Sequence, residues 1–332
     1  MSGIPSFTVE TSTTTSQVTM VFCIIFALLM FSMPLWAESS LMHWCVEVIC
    51  FLVLAMMWNL MAGYGGLVSV GQQAFVGLGG YGLFILAQHL DVNPFASVLI
   101  SGVVCAALAI PMAKVFFRLK GGYFAIGTWV GSEIAKISIS NIPFLGAGSG
   151  QSLTVMVKIP HDTRENITYW IACMLLFASF IALYALLRSR FGLGLTAIRD
   201  SEAAAESQGV PVDRLKLQVF VLSAFGSGLV GALYYLSILR ISPSAGFDLA
   251  WVVAATFIVV IGGIGTLEGP IVGCAVFFLL RYFLADYGVW YWLIMGIVAI
   301  TVMIAFPKGI WGFVQQKWGW RIFSLQRKLV LK

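Results

Sequence analysis

The sequence predicts an all-α, polytopic integral membrane protein with about ten transmembrane helices. Three observations carry that prediction. Of its 332 residues, 60% are hydrophobic and only 10% are charged, more apolar surface than a soluble core absorbs with so few charges outside. Uncharged runs at 11–37, 48–90, 92–113, 166–187, 217–239, 249–267 and 287–307 meet or approach the roughly 20 residues a helix needs to cross a bilayer, and the run at 48–90 is long enough for two crossings. The basic residues fall in loops that an even number of crossings puts on one side. An outer-membrane barrel is excluded, because its strands alternate polar and apolar residues instead of running apolar for a whole crossing.

Taken in order, residues 1–17 form a Thr/Ser-rich tail ending in TSTTTS, read as disordered. This tail has no Lys or Arg and no convincing small-residue cleavage pattern follows near Ala37, so the first apolar segment is read as a span and not as a secretory signal. The transmembrane domain covers 18–306, with crossings at 18–36, 43–62, 68–88, 95–117, 121–140, 167–187, 217–239, 249–264, 269–285 and 289–306. Those at 121–140, 249–264 and 269–285 are marginal in length or polarity and allow a tilted or re-entrant course. Residues 307–332 form a basic tail in which KWGWRIF has the composition of an interfacial anchor.

With ten crossings, 14 of the 19 basic residues lie on one face: Lys114, Arg118 and Lys120, then Arg188, Arg190, Arg199, Arg214 and Lys216, then the tail. That face is cytoplasmic by the positive-inside rule, which places the loop at 188–216, the C-terminal tail and the N-terminus inside. The net charge of +5 thus reads as topology and contact with anionic membrane lipid. Nucleic acid is not expected as a partner, since no basic face with interleaved aromatics stands on a soluble domain.

The loop at 188–216 contains "IRDSEAAAESQGVPVDRLK", residues 198 to 216, with seven charged residues in 19 positions. Asp200 or Ser201 can cap a helix, EAAAESQ favours one, and Gly209 followed by Pro211 ends it. Glu202 and Glu206 stand four apart with alanines between them. They repel each other on an isolated helix, while small residues permit close docking. Either this is a knob for a cytoplasmic subunit, or it is a solvated connector whose alanines reflect helix propensity.

This segment resembles the EAA loop of ABC-importer permeases, whose general form is Glu-Ala-Ala, three residues, then Gly. Counting back from Gly209 puts Ala204 and Ala205 at the paired alanines, with Ala203 at the acid position and Glu202 one place early. The wider block "SRFGLGLTAIRDSEAAAESQGVPVDRLKLQVFVLSAFGSGLVGALYYL" at 189–236 resembles LivM-type permeases of branched-chain amino acid importers. So do "GYGGLVSVGQQAFVGLGGYG" at 63–82, "LKGGYFAIGTWVGSEIAK" at 119–136 and "VVIGGIGTLEGPIVG" at 259–273. The resemblance implies a subunit of the bacterial cytoplasmic (inner) membrane that forms a translocation path for leucine, isoleucine and valine. Arg199, Glu202, Ala204, Ala205, Glu206 and Gly209 would then contact the ATPase. It further implies a LivH-type permease partner, two cytoplasmic ABC ATPase subunits and an extracytoplasmic substrate-binding protein. ATP, with Mg, is hydrolysed by those partners, and this chain is expected to bind no cofactor and catalyse nothing itself.

For the path, residues 63–82 hold eight glycines, a density that in lipid allows close helix packing or a broken helix lining a cavity. Asn59, Ser69, Gln72 and Gln73 add polar groups at membrane depth, and Gln72 or Gln73 is expected to face the path. Glu47, Glu133 and Lys136 are the ionisable residues expected within the membrane, where such groups are functional candidates. Glu133 and Lys136, three apart, form either a self-neutralised bridge or a polar stretch of the conduit. "GGIGTLEGP" at 262–270, expected on the cytoplasmic side, is either a gate or ATPase contact, or an interhelical turn.

Other chemistry is poorly supported. "SVGQQ" at 69–73 is superficially similar to an ABC ATPase signature, but there is no phosphate loop and no Gly-Lys dipeptide, so no ATP site of that kind. The six cysteines lie in apolar segments without a CxxC pair, and His43, His89 and His161 are scattered without ligand spacing, so no metal site is expected. Urea, short amides or other amino acids are alternative cargoes. A stand-alone secondary transporter is the rival class, and it would require inverted repeats with paired broken helices. A membrane enzyme would need an acid–base cluster that the sequence lacks.

Overall fold

A computed structural model describes residues 7–10, 24–284, 287–288, 290–318 and 328–331. After a short strand β1 (Phe7–Glu10) the described chain is almost wholly helical: α1 (Ile24–Leu35), α2 (Ser39–Asn59), α3 (Gln72–Phe84), α4 (Pro94–Phe116) and α5 (Gly122–Ser140) come first. A two-residue strand β2 (Gln151–Ser152) precedes α6 (His161–Arg188), α7 (Arg190–Asp200), α8 (Glu202–Ser207) and α9 (Val212–Ile238). Then follow β3 (Arg240–Ile241), α10 (Pro243–Gly246), α11 (Ala250–Gly262), α12 (Gly269–Leu284), α13 (Trp290–Ala305), α14 (Gly309–Trp318) and β4 (Lys328–Leu331). The all-α membrane fold is therefore as the sequence predicts. Among the described residues six stretches are long and apolar enough to cross a bilayer: Ser39–Tyr64, Pro94–Phe116, His161–Arg188, Val212–Ile238, Pro243–Gly262 and Leu293–Lys317. Each of the other expected spans overlaps a helix, namely α1, α3, α5 and α12.

At the centre α9 packs on α2, α3 and α4, and α2 packs on α6, α11 and α12. Between helices in lipid the hydrophobic effect gives little, because acyl chains are as apolar as leucine, so association depends on close contact of backbones and on hydrogen bonds. Glycine supplies that contact. A Cβ at Gly231 of α9 would run into the Val76 carbonyl of α3, and one at Gly79 of α3 would run into the backbone of Gly228. By contrast, Met174 and Ile181 of α6 and Ile297, Ile300, Met303 and Ile304 of α13 are exposed, as suits surfaces whose solvent is hydrocarbon.

Loops expected on one side of the membrane meet each other. On the expected outer face β2 pairs with β3, and the Leu153 N–H donates to the Leu239 carbonyl at 2.8 Å. There His43 of α2 and His161 of α6 both reach the buried Glu165 carboxylate, at 2.8 Å and 3.0 Å. On the expected inner face the end of α2, the α11–α12 loop and the end of α7 converge. β1 pairs antiparallel with β4, which brings the chain ends together. The expected disordered tail at 1–17 otherwise lies outside the described residues, as do residues 18–23 of the first span.

Two elements differ from the sequence-based expectation. The span expected from 68 begins as helix only at Gln72, because residues 65–71 are unwound, with Gly66 at φ +66°. The loop at 188–216 holds two helices: α7 is a separate helix capped by Ser189, whose Oγ accepts from the Phe191 N–H at 3.2 Å.

Candidate coupling surface and translocation path

Local chemistry builds α8 as a short, self-contained knob. The Ser201 Oγ accepts from the Ala204 N–H at 3.3 Å, choosing between the two caps the sequence offered. Gly209, at φ +80°, ends the helix in the left-handed region that glycine enters without steric cost. Ala205 is buried, while Glu202, Ala203, Ala204, Glu206, Ser207, Gln208 and Gly209 are exposed. Glu202 is not a free acid, since its Oε1 lies 2.6 Å from Lys216 Nζ at the start of α9. Glu206 is therefore the acid presented outward, and the two glutamates do not compete for one partner. Before the knob, α7 buries Gly192, Leu195 and Ile198, a spacing of three that lays one face of the helix on the bundle. Arg199 closes α7, pairs with Asp200 at 3.1 Å and approaches the Gly63 carbonyl at 3.5 Å.

The expected path residues separate into three places. Gln72 and Gln73, at the start of α3, are 1% and 0% exposed. Gln72 Nε2 donates to Ser223 Oγ of α9 at 2.5 Å, and that hydroxyl donates to the Met57 carbonyl of α2 at 3.2 Å. Gln73 Nε2 donates to the Val70 carbonyl at 2.9 Å. Both amide oxygens, and the hydroxyls of Ser101, Ser132 and Ser227, are buried without a hydrogen-bond partner. The unwound 65–71 segment survives at membrane depth because side chains satisfy its backbone, the condition for irregular structure in a bilayer. Trp58 Nε1 donates to the Ser69 carbonyl at 2.9 Å, and Thr128 Oγ1 of α5 accepts from the Val70 N–H at 3.1 Å.

Asn59 stands elsewhere, at the inner end of α2, where both ends of its amide bind the backbone of the α11–α12 loop. The sequence 262–270, expected as a gate or ATPase contact or as an interhelical turn, spans the end of α11, the α11–α12 loop and the start of α12, with Glu268 only 5% exposed. Glu133 and Lys136 form the third place: they pair at 3.4 Å on α5, each about one-third exposed, among Trp129, Val130, Ile134 and Ile137. Glu47 also has a partner, Arg281 of α12, at 2.8 Å. Sequence reasoning missed Lys216 and Arg281 as partners, and Ser223 and Thr128 as the groups holding α3 and the unwound segment. None of these carries a motif, and each is set by helix packing across long sequence separations. Among the described residues no three His, Cys, Asp or Glu side chains form a group suited to a metal ion.

Comparison with known proteins adds a family to this geometry. A family model described as "Branched-chain amino acid transport system / permease component" matches residues 40–306. The chain is 26% identical over 286 residues to the high-affinity branched-chain amino acid transport system permease protein LivM of Salmonella typhimurium, covering 78% of this chain and 67% of that one. It is 24% identical over 247 residues to a probable branched-chain amino acid transport permease protein LivM of Methanocaldococcus jannaschii, covering 70% and 69%. A shorter match, 26% over 156 residues and 44% of each chain, is to the fructose import permease protein FruG of Bifidobacterium longum. No solved structure matches.

Proposed function

The chain belongs to the family of branched-chain amino acid transport system permease components, and on that premise we propose that it forms the membrane path of an ATP-driven importer of leucine, isoleucine and valine. It is a multi-pass protein of the cytoplasmic membrane, and its family works with ATPase and substrate-binding subunits. The finer assembly belongs to the proposal: a LivH-type permease beside it, two cytoplasmic ATPases, and ten crossings with both termini inside. The domain division is part of it too, with a transmembrane unit at 18–306, an inner loop at 188–216 and a basic inner tail at 307–332.

The observation that supports this reading best is α8, a capped and exposed helix of six residues on the face of the bundle expected inside. In this reading the ATPase receives Glu206, Ala204 and the Gly209 turn, while Arg199 and the Glu202–Lys216 bridge hold α8 at a fixed angle to α7 and α9, and Ala205 packs it inward. Closure of the ATPases on ATP pulls α8, and the helices joined to it carry the pull into the bundle. ATP and Mg are handled by the partners, and this chain supplies no cofactor site.

The path runs along α3, α5 and α9, where the amide oxygens of Gln72 and Gln73 and the hydroxyls of Ser132 and Ser227 lack partners in the single chain, with the Ser101 hydroxyl of α4 beside them. Gln72 and Gln73 meet it when α5 moves away from the Val70–Thr128 contact, and the half-buried Glu133–Lys136 pair borders it on the side of the second permease. An unpaired polar group in hydrocarbon is costly, so such a seam makes sense where the chain must at times face water or a zwitterionic cargo.

The test is uptake by proteoliposomes carrying the full assembly, with labelled leucine and competing isoleucine, valine, urea or fructose. Uptake that needs internal ATP and is displaced by isoleucine and valine supports the proposal. Displacement by urea or fructose instead would reassign the cargo, and uptake driven by an ion gradient without ATP would overturn the importer.

A further inference from the structure

Asn59 occupies a joint that neither a path-lining nor a docking role explains. Its Oδ1 accepts from the Gly265 N–H at 2.9 Å and its Nδ2 donates to the Thr266 carbonyl at 2.7 Å, so one buried side chain holds backbone groups of two successive residues of the α11–α12 loop. The loop is itself knotted, with Thr266 Oγ1 donating to the Gly263 carbonyl at 2.7 Å and accepting from the Gly269 N–H at 3.0 Å. One turn beyond Asn59, Gly63 lies so close to the loop that a Cβ there would stand 2.6 Å from the Gly265 nitrogen. The Gly63 carbonyl accepts from Arg199 Nη1 at 3.5 Å, the long end of the range for such a bond. The same guanidinium would lie 3.1 Å from a Cβ built on Gly265.

Three elements therefore meet without slack: the inner end of α2, the α11–α12 loop, and the last residue but one of α7, immediately before α8. From Asn59 onward α2 turns into a π-helical segment, Leu60–Tyr64, a departure from regular helix often found at functional positions. Displacing a buried amide bonded at both ends leaves buried polar groups unmet, which is costly, so the intact arrangement is strongly preferred over partly separated ones. An element so held is of the kind that carries coupling between distant sites.

We propose that Asn59 is a positioning residue for energy coupling, locking the α11–α12 loop to α2 so that movement of Arg199 and α8 displaces all three together. This rests on the reading of α8 as the ATPase contact and deepens it by naming where the movement enters the bundle. Residues 262–270 then move as a lever fixed to α2, and not as a free gate.

The experiment compares the complete assembly carrying wild-type chain, Asn59→Leu or Asn59→Asp. It measures ATP hydrolysed per leucine imported, together with co-purification of the ATPase. Asn59→Leu removes both bonds and is expected to raise the ratio on the order of tenfold, the scale of a typical coupling between sites, with the ATPase still bound. Asn59→Asp keeps the acceptor for Gly265 and turns an oxygen onto the Thr266 carbonyl, so a smaller rise is expected, with a lower thermal midpoint because a carboxyl is buried there. A wild-type ratio in both variants overturns the proposal. So does a Leu variant that merely fails to assemble while the Asp variant couples normally, since the role is then structural. Absence of ATP-driven uptake by the wild type is a separate result: it overturns the importer reading itself.

Discussion

Glu202 and Gln73 show how a residue's role depends on partners its neighbours do not reveal. Glu202 looks like a free acid in sequence, yet Lys216, placed beyond a helix break, neutralises it. Gln73 looks like a path residue, and in the structure its amide holds the carbonyl of Val70. This arrangement makes a distinction between the two glutamines testable. Gln72→Leu removes one interhelical hydrogen bond, worth about 0.6 kcal/mol in membrane proteins, while Ser223 keeps its bond to Met57. Assembly is expected to persist with a small drop in thermal midpoint. Gln73→Leu frees the unwound segment at the Val70 contact and is expected to lower uptake more than it lowers the midpoint. Measuring both quantities on both variants checks this, and equal uptake by the two would contradict it. At this scale the sequence revealed what one residue decides alone, such as the Gly209 stop. It concealed pairs such as Glu47–Arg281, whose members meet only after the helices pack.

Elements were legible in proportion to how local their causes are. The marginal spans at 121–140 and 269–285 emerged close to α5 and α12, because glycine turns bound α5 at its start and α12 lies between a loop and a run of aromatics. The beginning of α3 was not legible: the stretch at 68–71 reads as span, and only the Trp58 donor and the Thr128 acceptor, from other helices, stabilise the unwound course in lipid. For the same reason α7 was missed, as its apolar positions are too few to stand out beside the longer spans. Packing of α3 on α9 gives the prediction at this scale. Gly231→Ala puts a methyl against the Val76 carbonyl and is expected to cost about 1–3 kcal/mol, the usual range for overpacking a tight contact. Gly209→Ala, where a Cβ meets no atom within 4 Å, is expected to cost less than Gly231→Ala, since only its φ is strained. Thermal midpoints of the purified assemblies check the order, and the reverse order would contradict the packing argument.

For the whole molecule, the polytopic helical architecture was the most legible property, because bilayer thickness is a global constraint that no single contact can override. Loops expected on the same face do meet, through β2–β3 and the Glu165 cluster on one side and the Asn59 joint on the other. Cargo was not legible from the residues, since the buried polar atoms of α3, α5 and α9 state only that something polar belongs there. The molecule is thus a bundle tied at one end by His43, Glu165 and His161 and jointed at the other by Asn59, and in the proposed orientation it offers α8 to the cytoplasm. The most direct measurement of that account is co-purification in detergent of the tagged chain with its partners, identified by mass spectrometry, for wild type, Glu206→Lys and Glu202→Gln. The account predicts that wild type and Glu202→Gln retain a P-loop ATPase and a second permease, and that Glu206→Lys loses the ATPase alone. Retention of the ATPase by Glu206→Lys, or its absence from the folded wild type, would contradict it.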